Sequence, residues 1–188
     1  MEFIKKEPII FLVAGKARSG KNTVAKIIKD NYLDQKQKVV ISEITKYLKK
    51  YIEEITETKI TENNKPRELL QKISAVIIKD KLDMPDFFVN RMIEDLKIYS
   101  YFFDIIIIPD IRFEKEIEIV KKYFKYVISI GVIRENYESD LSLEEQKDIT
   151  EISLDNYNKY DYKIINNDDK DNLYLKVMNI LNDVQERR

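Results

Sequence analysis

A run of apolar residues leads directly into a loop with two widely spaced glycines near the start of this chain. The run is Ile9–Ala14, and the loop reads Gly15-Lys16-Ala17-Arg18-Ser19-Gly20-Lys21-Asn22-Thr23. Its spacing, G-x-x-x-x-G-K, is typical of a loop that wraps a phosphate group between a strand and a helix. Glycines permit the tight turn that points successive amides and a helix N-terminus at the phosphate oxygens. We therefore predict that residues 15–23, hereafter the phosphate loop, bind a nucleotide, with Lys21 between the β and γ phosphates.

The residue after the lysine departs from the usual pattern of such loops. Asn22 stands where a Ser or Thr hydroxyl normally ligands Mg²⁺, and Thr23 follows it, within reach of the α-phosphate. The ion is therefore expected to be held by Asn22 and Asp110, mostly through water.

Strand-like runs alternate with helical patterns along the rest of the chain. The strand-like runs are Ile9–Ala14, Val39–Ile41, Ile105–Ile108, Tyr126–Ile133 and Tyr162–Ile165. Pro109 and Asp110 are expected to end the third of them. The helical patterns are Thr23–Tyr32, Ile44–Ile55, a helix from Pro66 with Leu69, Leu70, Ile73, Val76 and Ile77 on its apolar face, a helix capped by Asp86, Phe113–Tyr123 and Lys170–Val184. This alternation predicts an α/β fold, a parallel sheet with helices on both faces.

The composition excludes several kinds of chemistry. The chain of 188 residues has no Cys, His or Trp, so it has no disulfide, no thiol nucleophile and no histidine base. Lys and Arg number 33 against 34 Asp and Glu, and a net charge of −1 argues against non-specific nucleic-acid binding. No apolar run approaches the roughly 20 residues of a membrane span. We expect one cytoplasmic domain that binds neither nucleic acid nor membrane.

Five motifs in order resemble those of the deoxynucleoside monophosphate kinases of bacteriophages and bacteria. The phosphate loop resembles G-x-x-x-S-G-K-D-T, with Asn22 in place of the acid, and residues 43–46 occupy the place of D-P-L-K. Residues 67–71 resemble R-x-L-L-Q, and residues 107–116 resemble a strand followed by D-x-R-F-x-x-E. Thr150-Glu151 resembles a Ser-Glu pair that follows the lid of these enzymes, although the His that often precedes the pair is missing.

The resemblance implies transfer of the ATP γ-phosphoryl group to a (deoxy)nucleoside 5′-monophosphate, with Mg²⁺. It implies a P-loop fold with a five-stranded parallel core (residues 8–43, 102–134 and 160–188), and it favours a homodimer. A helical substrate-binding segment (about 44–101) and a short lid (about 135–152) are expected to close over that core.

Candidate site residues follow from the motifs and from the sheet edge. Asp110 ends a buried strand where α/β sheets place ligands, so it orients Mg²⁺ or phosphate, or else caps the next helix. Lys21, Asp110 and a lid arginine, Arg134, are the expected catalytic residues. Asn166 and Asn167 either contact adenine or form an ordinary turn. The expected acceptor-binding residues are Glu43, Lys46, Arg67, Gln71, Arg91 and Arg112.

Several alternatives remain open at this point. Arg112 binds phosphate or pairs with Glu116, Arg67 binds the acceptor phosphate or is a solvated helix-start charge, and Arg91 binds substrate or forms a surface salt bridge. The whole chain is alternatively another small-molecule kinase of this fold, such as one acting on dephospho-coenzyme A, or a regulatory protein that binds ATP without turnover.

Overall fold

Five parallel strands form one sheet in a computed structural model that describes residues 3–61, 64, 66–135, 146 and 148–187. The order across the sheet is β2-β3-β1-β4-β5. The strands are β1 (Ile9–Ala14), β2 (Val39–Ile41), β3 (Ile105–Ile111), β4 (Val127–Ile133) and β5 (Tyr162–Ile165). All six residues of β1 are buried, which explains its unbroken apolar sequence. The predicted α/β class and parallel sheet are confirmed.

Helices connect the strands and cover both faces of the sheet. They are α1 (Lys21–Asp34), α2 (Lys46–Thr56), α3 (Arg67–Gln71), which continues as a π-helix (Lys72–Lys81), α4 (Phe87–Tyr99), α5 (Glu114–Tyr123), α6 (Ile149–Ile152) and α7 (Lys170–Glu186). Helix α1 connects β1 to β2, toward one edge of the sheet, whereas α5 connects β3 to β4, toward the other edge. Because such crossovers are right-handed, α1 and α5 lie on opposite faces. The core on the α1 face includes α7, with Ile28 and Val177 fully buried.

These opposite directions open a crevice at the carboxyl edge of the sheet between β1 and β3, where open α/β sheets bind ligands. Gly15 directly follows β1, and Asp110 lies near the end of β3. Arg134 follows β4 at the same edge, and Asn166 follows β5. The topology therefore brings the loops that carry these four residues to one edge.

Two compact units make up the chain. One comprises Met1–Ser42 and Leu96–Arg188 and contains the sheet. The other comprises Glu43–Asp95 and has its own core, in which Leu48, Ile52, Leu70, Ile73 and Ile78 are buried. In the described part of the chain, no helix is both long and apolar enough to cross a membrane. Most of the predicted lid, in which Ser142 and Glu145 have the sequence spacing of a capping box, lies outside the described residues.

Two sequence predictions about these elements are wrong. Pro109 does not end β3, which continues to Ile111. The register against β1 shifts there, from Leu12 opposite Ile108 to Ala14 opposite Ile111, and β2 has already ended opposite Ile107. A proline is tolerated at such an irregularity because no regular ladder needs its missing amide proton. Helix α1 also begins at Lys21 rather than Thr23, since Gly20 supplies the left-handed cap.

The apolar face expected for the helix after Pro66 is wrong in its second half. Val76 and Ile77 are each 44% exposed, whereas Ile78 is 5% exposed. The backbone amide of Leu82 bonds to the Ile77 carbonyl, five residues back, as in a π-helix. The wider turn moves the buried stripe by one residue relative to an α-helix.

This shift is testable by truncating the two neighbouring isoleucines. Ile78→Ala should lower the free energy of unfolding by about 2–5 kcal/mol, because it empties a buried site. Ile77→Ala is the matched control and should cost less than about 1 kcal/mol. Urea unfolding of both variants measures the difference. A larger loss for Ile77→Ala would show that the segment is a regular α-helix.

Candidate functional site

The phosphate loop turns at two glycines with positive φ. Gly15 has a φ of +145°, and a Cβ there would stand 2.3 Å from the Val132 carbonyl oxygen. Gly20 has a φ of +105°, and its Cβ would stand 2.4 Å from the Asn166 side-chain nitrogen. Between them Arg18 adopts a left-handed φ of +57°. Both glycines are therefore required by conformation and by space, as the sequence spacing predicts.

Lys21 opens α1 and turns back into the loop. Its side chain is largely buried, with 8% of the residue exposed, and its ammonium donates a hydrogen bond to the Lys16 carbonyl oxygen. The charge is thus concentrated beside the backbone of the loop, as a phosphate-binding lysine requires. Asn22 and Thr23 follow on the exposed side of the first turn.

Asn166 ties the end of β5 to the phosphate loop. Its backbone amide donates to the Ile133 carbonyl at 2.7 Å, and its side-chain amide donates to the Ser19 carbonyl at 2.8 Å. Asn167 instead pairs with Glu135, whose backbone amide donates to Asn167 Oδ1 at 2.9 Å. The structure therefore brings Asn166 to the phosphate loop and gives its side-chain amide a partner in the loop backbone.

Arg112 and Glu151 hold the opposite part of the loop. The Arg112 guanidinium donates to the Gly15 carbonyl at 3.2 Å and pairs with Glu151 Oε1 at 2.9 Å. The other carboxylate oxygen, Oε2, accepts a hydrogen bond from the Ala17 amide at 2.8 Å. The Glu116 carboxylate accepts from the backbone amide of Arg112, at 2.8 Å, as part of the cap of α5. Arg112 thus lies at the loop, in contact with its backbone.

Helix α6 carries Glu151 and is fixed at the loop by further contacts. Asp148 caps the helix, accepting from the Thr150 amide at 2.8 Å. The Ser153 hydroxyl donates to the Arg112 carbonyl, and the Lys16 ammonium pairs with Asp155 at 2.8 Å. A small cavity lies among these groups and is also lined by Tyr160, whose burial raises the pKa of its phenol to about 12. That hydroxyl therefore stays protonated at neutral pH.

Oxygen donors for a divalent cation are present at the same sheet edge. Asp110 is half-buried on β3, and Asn22 lies at the start of α1. Among the described residues, no group of three or more acidic, His or Cys side chains forms a ready metal site. Magnesium in phosphoryl-transfer sites is usually held by one or two carboxylates together with phosphates and water, so this sparse donor set fits it. Arg134, the expected lid arginine, is exposed directly after β4.

The unit of residues 43–95 contains a separate polar and aromatic cluster. The Lys46 ammonium pairs with Asp95 at 2.6 Å, and the Tyr47 hydroxyl donates to the same carboxylate at 2.9 Å. Burial, followed by the hydrogen bond to Asp95, raises the pKa of Tyr47. Arg91 pairs with Glu94 at 3.0 Å and lies over the ring of Tyr47, 5.2 Å from its centroid.

The remaining expected acceptor residues are spread over this unit. Glu43 pairs with Lys49, and Arg67 and Gln71 are the first and last residues of α3. The structure therefore brings Lys46 and Arg91 together around Tyr47.

Sequence reasoning gave no role to Glu151, Asp155 or Asp95. Glu151 belongs to a pair that resembles a family motif, but only the fold shows that its carboxylate meets the loop. Asp155 and Asp95 have no motif signal, because their partners Lys16 and Lys46 are 139 and 49 positions away in the sequence.

Comparison with known proteins defines the fold. No protein-family model and no curated protein matches the sequence. The APS kinase of Mycobacterium tuberculosis in complex with AMPPNP and APS has a TM-score of 0.58 and 9% identity, covering 94% of this chain and 99% of that chain. The shikimate kinase from Bacteroides thetaiotaomicron has a TM-score of 0.51 and 14% identity, and the match covers 94% of this chain and 98% of that chain. The shikimate kinase from Aquifex aeolicus has a TM-score of 0.50 and 13% identity, and the match covers 95% of this chain and 98% of that chain. The chain thus has the fold of the P-loop kinases.

The contact between Asn166 and the phosphate loop predicts how its loss affects binding. Asn166→Ala removes one hydrogen bond to the loop backbone, worth about 0.5–1.5 kcal/mol, so a triphosphate should bind about 2- to 10-fold more weakly. The effect should be equal for ATP and for inorganic tripolyphosphate, measured by calorimetry. If only ATP binding weakens, Asn166 contacts the adenine base instead.

Proposed function

We propose that this chain is an ATP-dependent phosphotransferase whose acceptor is a (deoxy)nucleoside 5′-monophosphate, giving ADP and a (d)NDP. The ATP-dependent transfer rests on the phosphate loop, in which two sterically required glycines precede a largely buried lysine at a helix N-terminus. The P-loop kinase fold supports it. The choice of acceptor is supported by the order of the motifs at residues 67–71 and 107–116, which resemble those of deoxynucleoside monophosphate kinases.

Phosphoryl transfer does not require the residue types that this chain lacks. Phosphoryl transfer depends mostly on positioning and on neutralising charge in the transition state, so His and Cys are not needed. Lys21 follows the transferring phosphoryl group, and Arg134 neutralises its charge. Asn22 and Asp110 hold Mg²⁺ largely through water, and the bound ion supplies further neutralisation of the phosphate oxygens.

The acceptor is assigned to residues of the unit 43–95. Arg67 provides a planar fork for the acceptor phosphate, and Gln71, on the same short helix, contacts the base. Lys46 and Arg91 place cationic groups beside the ring of Tyr47, and Glu43 pairs with Lys49. An anion that carries a flat ring suits cationic groups next to aromatic faces.

The direct test is a coupled assay of ADP release over a panel of acceptors. The panel contains the four deoxynucleoside monophosphates, their ribose counterparts, dephospho-coenzyme A, APS and shikimate. We expect turnover with at least one nucleoside monophosphate and a loss of about 10²-fold or more in kcat for Lys21→Ala. Lys26→Ala, an exposed lysine on the same helix, is the matched control and should retain full activity.

The other outcomes separate the alternatives. Turnover with only dephospho-coenzyme A, APS or shikimate would support the kinase activity but contradict the proposed acceptor. ATP binding without turnover on any acceptor would favour a regulatory protein, for which the unusual Asn22 already argues. Near-normal kcat in Lys21→Ala would contradict the proposed mechanism.

A further inference from the structure

A carboxylate lies against the phosphate loop, where a negative charge is unexpected. The Glu151 side chain is only 10% exposed, and both of its oxygens are engaged. One accepts from the Ala17 amide at 2.8 Å, and the other pairs with Arg112 at 2.9 Å. A carboxylate beside an anion-binding loop repels the anion unless another group neutralises its charge. Its presence there therefore calls for a structural role in the loop.

The pair contacts two backbone groups in the first half of the loop. Glu151 accepts from the backbone amide of Ala17, and Arg112 donates to the backbone carbonyl of Gly15 at 3.2 Å. We propose that Glu151 and Arg112 are positioning residues that fix the backbone of residues 15–17 for triphosphate binding, an inference that rests on the proposed function. Arg112 also neutralises Glu151, so the pair adds no net charge beside the phosphates.

Arg112 also contacts helix α6, which carries Glu151, at two further points. Arg112 donates to the Thr150 carbonyl at 3.4 Å and accepts from the Ser153 hydroxyl through its own carbonyl. Arg112 therefore contacts helix α6 near its start and directly after its end.

Binding of inorganic tripolyphosphate, measured by calorimetry, tests the pair without requiring turnover. Glu151→Gln keeps an oxygen that can accept from Ala17 but loses the charge that pairs with Arg112, so binding should weaken about 2- to 10-fold. Glu151→Ala loses both contacts and should weaken binding at least about tenfold. Glu7→Gln, in an exposed pair with Lys125 on the same unit, is the matched control and should bind like the wild type.

A double-mutant cycle tests whether the two residues act as a unit. Arg112→Lys with Glu151→Gln should bind no more weakly than the weaker single variant, because each substitution breaks the same interaction. Independent residues would instead give losses that multiply.

Selective ¹⁵N labelling of alanine reports the key hydrogen bond directly. The chain has four alanines, at positions 14, 17, 25 and 75, so four amide signals are expected and Ala17→Gly assigns the one that matters. The Ala17 amide should be protected from exchange in the wild type, stay protected when tripolyphosphate binds, and lose protection in Glu151→Ala. The other three signals report whether that variant is folded.

Distinct results overturn the inference and the proposed function. Wild-type protein that binds neither ATP nor tripolyphosphate would contradict the proposed function itself. Normal triphosphate binding by a wild type whose Glu151 variants bind equally well would overturn the positioning role alone. Tighter binding by Glu151→Ala, or loss of Ala17 protection on tripolyphosphate addition, would show that the carboxylate competes with phosphate.

Discussion

The close approach of Gly15 to β4 constrains the whole candidate site. A side chain at this position would overlap the Val132 carbonyl, and the backbone there takes a φ that disfavours other residues. The chain can therefore leave β1 in one direction only, across the carboxyl edge of the sheet, before α1 begins. Parallel pairing of β1 with β3 and β4 sets that edge, so the sheet and the loop specify each other.

Side chains from distant parts of the sequence complete the loop. Asn166 from the end of β5 holds the Ser19 carbonyl, and Glu151 from α6 engages the Ala17 amide. These contacts lie on either side of the turn at Arg18, which has a left-handed backbone without being glycine. Strained residues of this kind persist only where their surroundings define the conformation, and the two side chains supply such surroundings.

The sequence predicted the parts of this structure that depend on local pattern. Periodicity located all five strands to within three residues at their ends, and most clearly β1 and β3, which are apolar because they are buried on both faces. Local pattern failed where pairing or a non-standard turn decides the outcome. Strand β3 continues past Pro109 because the register against β1 shifts there. Ile78 is buried, in place of the expected Ile77, because the segment is a π-helix. The contacts of Glu151 with Ala17 and of Asp155 with Lys16 were hidden because each joins residues more than 130 positions apart.

The central claim is that the phosphate loop binds a nucleoside triphosphate through Lys21. Calorimetric titration of the wild type with ATP and Mg²⁺, beside Lys21→Ala and Lys26→Ala, measures this most directly. The account predicts one ATP per chain for the wild type and for Lys26→Ala, and at least tenfold weaker binding for Lys21→Ala, as expected for losing a charge-assisted contact of about 1.5–3 kcal/mol. A wild type that does not bind ATP, or a Lys21→Ala variant that binds it equally well, would contradict the account.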